Sequence, residues 1–177
     1  MNYDNVELVD PNGNRIGEME KISAHRDGGS LHRAISVLLF DSEGRILIQK
    51  RAADKYHFGG YWANTCCSHP APGEAPLEAA LRTLQREMGM GAELDQVGKF
   101  VYRATDAESG LTEWEYDHVF FGKSQSAPAP NPNEVSEIAW LTPTELQKLI
   151  DEKREEVSPW LIEIFDRFQH QFCIKIS

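Results

Sequence analysis

The sequence has no apolar run approaching the ~18 residues that a membrane-spanning helix needs, and its first ten residues lack the basic-then-apolar layout of a secretory leader. Neither a membrane protein nor a secreted one is expected. Cysteine is scarce, with three in 177 residues, two of them adjacent at Cys66 and Cys67. Such a set cannot build a disulfide framework, so a reducing cytoplasm is the expected setting. Positive charge is short as well: 18 Lys and Arg against 28 Asp and Glu leave a net −10. That balance disfavours a general binder of nucleic acid or of anionic membrane. Internal repeats and strong domain boundaries are missing too. What remains, 41% hydrophobic and 26% charged residues, suits one folded domain over residues 1–177 rather than a disordered chain.

The pattern along the chain is mixed. Val6 to Val9 and Arg15 to Met19 flank the turn-rich Pro11-Asn12-Gly13-Asn14, which predicts an N-terminal β-hairpin. Ala34 to Phe40 is nearly all apolar, and Arg45 to Gln49 alternates after a turn at Asp41–Gly44, so a second strand pair is expected. Tyr56 to Pro72 reads as loop with a short strand. The clearest helix starts at Pro76, and Leu77, Ala80, Leu81, Leu84 and Met88 fall on one face before a stop at Gly89. Val97 to Ala104 and Thr112 to Phe121 read as strands, and Ser124 to Asn133 as a surface loop. Two helices then close the chain. Thr142-Pro143-Thr144-Glu145 is a capping box with proline at its first helical position, and Ser158-Pro159 starts a helix with Leu161, Ile164, Phe165 and Phe168 in one stripe. The pattern is that of an α+β protein.

Several residues carry possible chemistry, each with an ordinary explanation beside it. Arg45, Lys50, Arg51 and Lys55, against Asp54 alone, form a local basic cluster on an acidic chain. They are either solvated ends of a strand or a grip for a small anion such as a diphosphate. His25 and His32 lie in a polar stretch, and lone surface histidines commonly do nothing. In Asn64-Thr65-Cys66-Cys67-Ser68-His69-Pro70 an extended backbone points Cys67 and His69 to one side and Cys66 to the other. A free cysteine is often only a small buried hydrophobe. On a strand, Glu113, Glu115 and Asp117 share one face, with Trp114, Tyr116 and His118 on the other. Three carboxylates side by side either face water or surround a cation, and together with imidazoles they would suit a divalent metal. Glu87 sits at the border of its helix's apolar stripe, where it would reach water.

Taken in order, His25, His32, the Asn64–Pro70 run with Cys67 and His69, Arg103-Ala104-Thr105-Asp106, Glu113-Trp114-Glu115 and Ser158-Pro159-Trp160 resemble the type 1 isopentenyl-diphosphate isomerases over residues 4–168. That family belongs to the Nudix superfamily, so the resemblance implies an α/β/α sandwich with a mixed sheet, an N-terminal hairpin and C-terminal helices, its core at about residues 30–165. The Nudix hydrolase box can be laid over the central helix. Glu74, Arg82 and Glu87 match it, but Ser68 replaces the opening glycine, and Thr83 and Arg86 replace two metal-binding glutamates. Hydrolysis needs clustered carboxylates for the cations that activate water. The degraded box therefore fits a diphosphate binder that does not cut its substrate.

The resemblance implies interconversion of isopentenyl and dimethylallyl diphosphate through a tertiary carbocation. It gives His25, His32, His69, Glu113 and Glu115 as ligands of one divalent metal (Mn²⁺, Mg²⁺ or Zn²⁺). Glu87 and the Cys67 carbonyl would hold a Mg²⁺ that bridges the diphosphate, and Lys21, Arg51, Lys55 and Arg82 would contact the diphosphate itself. Cys67 and Glu115 become the acid–base pair, with Tyr102 tuning Glu115, Trp160 facing the cation and Trp62 as a second aromatic. A nearby cation would favour thiolate at Cys67. A monomer acting on a small allylic or homoallylic diphosphate is expected. Cys66 has no role in this scheme, and the chain beyond Phe168, with Cys173, lies outside the resemblance. Three other functions compete with it: a Nudix diphosphate hydrolase, a metal-binding module without activity, and a Cys–His hydrolase, which would lack an oxyanion hole.

Overall fold

Ala34 to Phe40 is apolar at nearly every position because the strand it forms, β3 (His32–Phe40), is covered on both faces. Ile35, Val37 and Leu39 join one core and Leu38 and Phe40 the other, which is the alternation a pleated strand imposes. The computed structural model describes residues 1–124 and 126–175. The side chain of Cys173 lies outside the described residues.

Around β3 the sheet grows, among the described residues, to nine strands of mixed direction. β1 (Asn5–Val9) and β2 (Arg15–Glu20) form the expected hairpin. Its turn needs glycine twice over: Gly13 has φ 82°, and a Cβ there would stand 2.6 Å from the Tyr116 ring. Next come the short helix α1 (Lys21–His25), β3 and β4 (Ile46–Arg51), and the two very short strands β5 (Trp62–Ala63) and β6 (Cys66–Ser68). After them follow α2 (Pro76–Met88), β7 (Leu94–Thr105), β8 (Thr112–Lys123) and β9 (Val135–Leu141). α3 (Pro143–Glu152), with its capping box, and α4 (Pro159–Phe168) follow, each with a 3₁₀ turn behind it. β8 runs parallel to β3 along one whole edge, while β1, β6 and β4 share the other edge in succession. α2 covers one face of the sheet, and α3 and α4 cover the other. Among the described residues no helix is long and apolar enough to cross a membrane.

Two expectations are corrected and one open alternative is decided. α2 does not bury the stripe that begins at Leu77: Leu77 and Leu81 are 42% and 39% exposed, and Ala79, Ala80, Thr83, Leu84, Glu87 and Met88 face the sheet. Glu87, expected to reach water, is 4% exposed. The acidic face of β8 is no solvated edge either, because Glu113, Glu115 and Asp117 are all buried on the α4 side. α1 and β9 were not foreseen.

The opposite face of β8 carries a polar network that ties the hairpin down. Arg33 donates to Glu7 at 2.9 Å, to the Gly13 carbonyl at 2.8 Å and to His118 Nε2 at 2.8 Å. Burial, then Arg33 and Lys99, hold the His118 imidazole down to about 4. An unfolded histidine titrates near 6.5, so between those values the unfolded chain binds a proton that the folded one refuses. Stability should therefore fall as pH drops from 6.5 toward 4, by at most about 2 kcal/mol at pH 5 before solvent screening is allowed for. Thermal melts at pH 7.5 and 5.0 check this. His118→Gln should show a smaller drop than the parent, and equal drops would remove His118 as the cause.

Candidate active site

The polar stretch before β3 is folded so that its two histidines meet. Glu20 caps α1, accepting from the Ile22 and Ser23 amides at 2.8 and 2.7 Å. One turn on, His25 Nδ1 donates to the Lys21 carbonyl at 2.6 Å, and His32 Nδ1 donates to the Ser30 carbonyl at 2.7 Å. Each ring thus spends its Nδ1 proton on the backbone and presents Nε2 to the interior. The parallel register sets His32 opposite Glu115. His69, just after β6, reaches Glu115 Oε1 through Nε2 at 2.7 Å.

Donor atoms of His25, His32, His69, Glu113 and Glu115 all lie within 4.8 Å of one another. His32 Nε2 is buried with no hydrogen-bond partner among the described residues. His25 Nε2 stands 2.9 Å from Glu113 Oε2. A nitrogen lone pair cannot face a carboxylate at that range without positive charge between them, either an added proton or a metal ion. Burial opposes charge on His25, yet its bond to Glu113 wins and the imidazole is raised above its ordinary value. Burial pushes His69 down to about 3, which leaves it neutral. Burial works against both carboxylates; even so, His57 and His25 hold Glu113 well below the ordinary range, and His32 and His69 outweigh Glu113's repulsion to keep Glu115 low. Three imidazoles and two ionised carboxylates converging in a buried site fit a divalent ion.

Cys67, Tyr102, Glu115 and Trp160 line one pocket together with His69 and Glu113. Cys66 turns the other way into the α2 core, as alternation on β6 requires. Tyr102, opposite Glu115 on β7, donates to Glu115 Oε2 at 2.5 Å. Trp160 is fixed by donating from Nε1 to Asn64 Oδ1 at 3.0 Å, and the Arg51 guanidinium lies 5.3 Å from its ring centre. Arg51 also approaches the Cys67 sulfur at 3.8 Å. The expectation of a thiolate is corrected, since burial pushes the Cys67 thiol up to about 12 against the pull of Arg51. The sulfur therefore keeps its proton while Glu115 has lost its own.

The same pocket is lined by Lys21, Arg51, Lys55 and Glu87. Burial and the neighbouring Lys55 lower Lys21, as expected of cations gathered without their anion. Lys55 pairs with Glu134. Glu87 accepts from Gln49 at 3.1 Å and from Arg86 at 2.9 Å. Arg82 is not among the lining residues. It forms a two-pronged bond to Glu74 at 2.7 and 2.8 Å and lies over the Tyr3 ring, so its guanidinium is spent on the fold. Trp62 also stays out of the pocket wall and packs against the α4-side core.

Four lining residues were missed from the sequence: Tyr56, His57, Arg86 and Ser68, the last read only as a lost glycine. Arg86 was read only as a lost glutamate. Tyr56, with Lys21 5.2 Å from its ring centre, stood in a segment read as loop. His57 is 4% exposed and bonds to Glu113. No spacing rule marks a lone histidine in a loop.

Comparison with known proteins gives the family and the fold. The NUDIX domain family matches residues 30–161. An isopentenyl-diphosphate Delta-isomerase of Nocardia farcinica is 47% identical over 161 residues, 91% of this chain and 92% of its own. Isopentenyl-diphosphate Delta-isomerase 1 of Aromatoleum aromaticum is 49% identical, covering 93% of this chain and 92% of its own. Among solved structures, a Deinococcus radiodurans protein superposes with a TM-score of 0.76 at 21% identity, over 92% of this chain and 98% of that one. The MutT protein of Methanosarcina mazei superposes with a TM-score of 0.64 at 19% identity, over 80% of this chain and 94% of that one. These two structures speak to the fold alone. Matched along nine-tenths of its length by relatives that share nearly half its residues, the chain belongs to the isopentenyl-diphosphate Delta-isomerase family of NUDIX-fold proteins.

Proposed function

We propose that this protein interconverts isopentenyl diphosphate and dimethylallyl diphosphate, with Cys67 and Glu115 as the two proton carriers. The observation that carries the reading is a single pocket lined by a protonated thiol, an ionised carboxylate held by Tyr102 and a set of cations. A proton beside an unactivated alkene is not acidic enough to be abstracted at neutral pH. Adding a proton to the terminal carbon of the double bond instead gives a tertiary cation, and the carbon nearer the diphosphate then loses a proton to form the more substituted alkene. Atoms balance: one proton enters, one leaves, and no bond to the diphosphate changes.

In the forward direction Cys67 gives the first proton and Glu115 takes the second. The roles exchange in reverse, as reversibility demands. Trp160 offers its electron-rich face to the cation, a contact worth ~2 kcal/mol or more once water is excluded. Exclusion of water also prevents trapping of the cation as an alcohol. Lys21, Arg51, Lys55 and Arg86 hold the diphosphate and so fix the five-carbon unit between thiol and carboxylate. His25, His32, His69, Glu113 and Glu115 would hold a divalent ion (Mn²⁺, Mg²⁺ or Zn²⁺) that makes Glu115 a stronger acid once protonated, and Glu87 with the Cys67 carbonyl would hold a Mg²⁺ that neutralises the diphosphate.

Diphosphate hydrolysis is the weaker reading. α2 offers the pocket one carboxylate, Glu87, where hydrolysis wants several, and Thr83 is buried away from it. Incubation with isopentenyl diphosphate in D₂O with Mg²⁺ separates the two. Dimethylallyl diphosphate carrying deuterium in a methyl group is expected, without released phosphate. Phosphate in the absence of isomer would replace this reading with the hydrolase.

A further inference from the structure

His57 is a buried imidazole in the pocket wall that the scheme above leaves unused. The loop that carries it, between β4 and β5, has an unusual backbone. Phe58 has φ 47°, a left-handed conformation that a bulky side chain adopts only when its surroundings impose it. Here they do. Asp106 Oδ2 accepts the Phe58 amide at 3.2 Å, while Arg51 donates to the Phe58 carbonyl at 3.1 Å and to the His57 carbonyl at 3.2 Å. The Tyr56 ring lies 4.2 Å from the imidazole between centres, and the Phe58 ring meets it edge-on at 5.7 Å. So much restraint on three consecutive residues serves to aim one side chain. That side chain ends with Nε2 on Glu113 Oε1.

His57 Nδ1 is buried and has no partner among the described residues. The ring's proton therefore belongs at Nε2, where the carboxylate accepts it, and His57 is a donor. The other oxygen of Glu113, Oε2, is the one that faces His25 Nε2 within the ligand cluster. A carboxylate on a long side chain turns readily about its last torsion. A donor fixed on one oxygen stops that turning and leaves the second oxygen to the metal.

We infer that His57 is a positioning residue for the metal site: it holds Glu113 Oε1 so that Oε2 alone is presented to the ion. The inference rests on the three-histidine, two-carboxylate cluster binding a divalent metal. Partners of this kind, one bond removed from the ion, typically change metal affinity by ~10–100-fold when lost.

The test titrates the full-length protein, stripped by chelation and dialysis, with Mn²⁺ and with Co²⁺. His57→Leu should weaken Mn²⁺ binding by ~10–100-fold. His57→Gln, whose amide can still donate to Glu113, should recover most of the loss. The absorption spectrum of the Co²⁺-saturated protein should be the same in the parent and the glutamine variant, in both of which a donor holds Glu113 Oε1 and the ligands are unchanged. If His57→Leu fails to fold by circular dichroism, His57→Phe fills the same space without a donor and gives the same reading. Undiminished affinity in the variant without a donor would overturn the inference, as would a glutamine variant as weak as leucine. A changed Co²⁺ spectrum in the glutamine variant would overturn it too, making His57 a ligand in its own right. If the unsubstituted protein bound neither ion, the metal reading of the cluster would be what failed.

Discussion

Cys67→Ala should reduce isomerisation by on the order of 10²–10⁴-fold and leave both metal content and thermal stability near those of the parent. The substitution removes one sulfur atom and nothing else of consequence. Cys67 is half-buried in the pocket wall, and its neighbour Arg51 keeps its bonds to the His57 and Phe58 carbonyls without it. The backbone carbonyl at 67 survives, so the proposed Mg²⁺ contact survives with it. No ligand of the histidine cluster is touched. What disappears is the proton that burial keeps on the sulfur, its thiol pushed up to about 12. Cys67→Ser retains a proton on a less acidic, shorter group and should fall between the two. Turnover by single-point conversion and metal by elemental analysis decide the matter. A loss of less than tenfold would end the acid–base assignment, and loss of metal would mean that residue 67 is a ligand.

Much of this site was legible in the sequence because strand geometry is strict. A period of two is enough to put Cys67 beside His69 and to send Cys66 the other way, and it puts Glu113, Glu115 and Asp117 on one face. It does not say whether that face meets water or a layer of helix. The choice depended on residues distant in the chain, His25 on α1, His57 in the β4–β5 loop and His69 after β6, which close over Glu113 and Glu115. Helix spacing is less strict. Leu77, Ala80, Leu81 and Leu84 do share a stripe, but the face that meets the sheet is turned by about one residue. That rotation exposes Leu77 and Leu81 and buries Thr83 and Glu87. It also brings Arg86 to the pocket while Arg82 is taken by Glu74. His57 was out of reach for a different reason. Its aim is set by a left-handed Phe58, clamped from Asp106 on one side and Arg51 on the other, and contacts so distant in sequence leave no local pattern. β9 stayed hidden because residues 136 and 137 are exposed and 138–141 only half-buried, so no apolar alternation marks it.

Removal of divalent ions should abolish activity and lower the melting temperature by about 5–10 °C, with both restored by Mn²⁺. The cluster explains the size of the effect. Glu113 and Glu115 are buried and held in their ionised forms, and His32 Nε2 has no hydrogen-bond partner among the described residues. Two buried negative charges held by imidazoles and the Tyr102 hydroxyl still repel each other, and an ion bound only by the folded state relieves that repulsion. At a free concentration of one hundred times Kd such an ion stabilises by about 2.7 kcal/mol, which for a chain of this size is worth about 2–4 °C per kcal/mol. The sign of the pH dependence follows from the same residues. His69 is held neutral by burial, so its ligation releases no net proton, the one Nε2 shares with Glu115 moving to Nδ1. His25 has its proton stabilised by Glu113, so metal and proton compete for Nε2. Affinity should therefore rise with pH until His25 is deprotonated, and about one proton should be released per ion below that point. Calorimetric titration with Mn²⁺ in two buffers of different ionisation heat measures that proton directly. A chelated protein that melts and turns over like the untreated one would show that the five side chains balance one another without any ion.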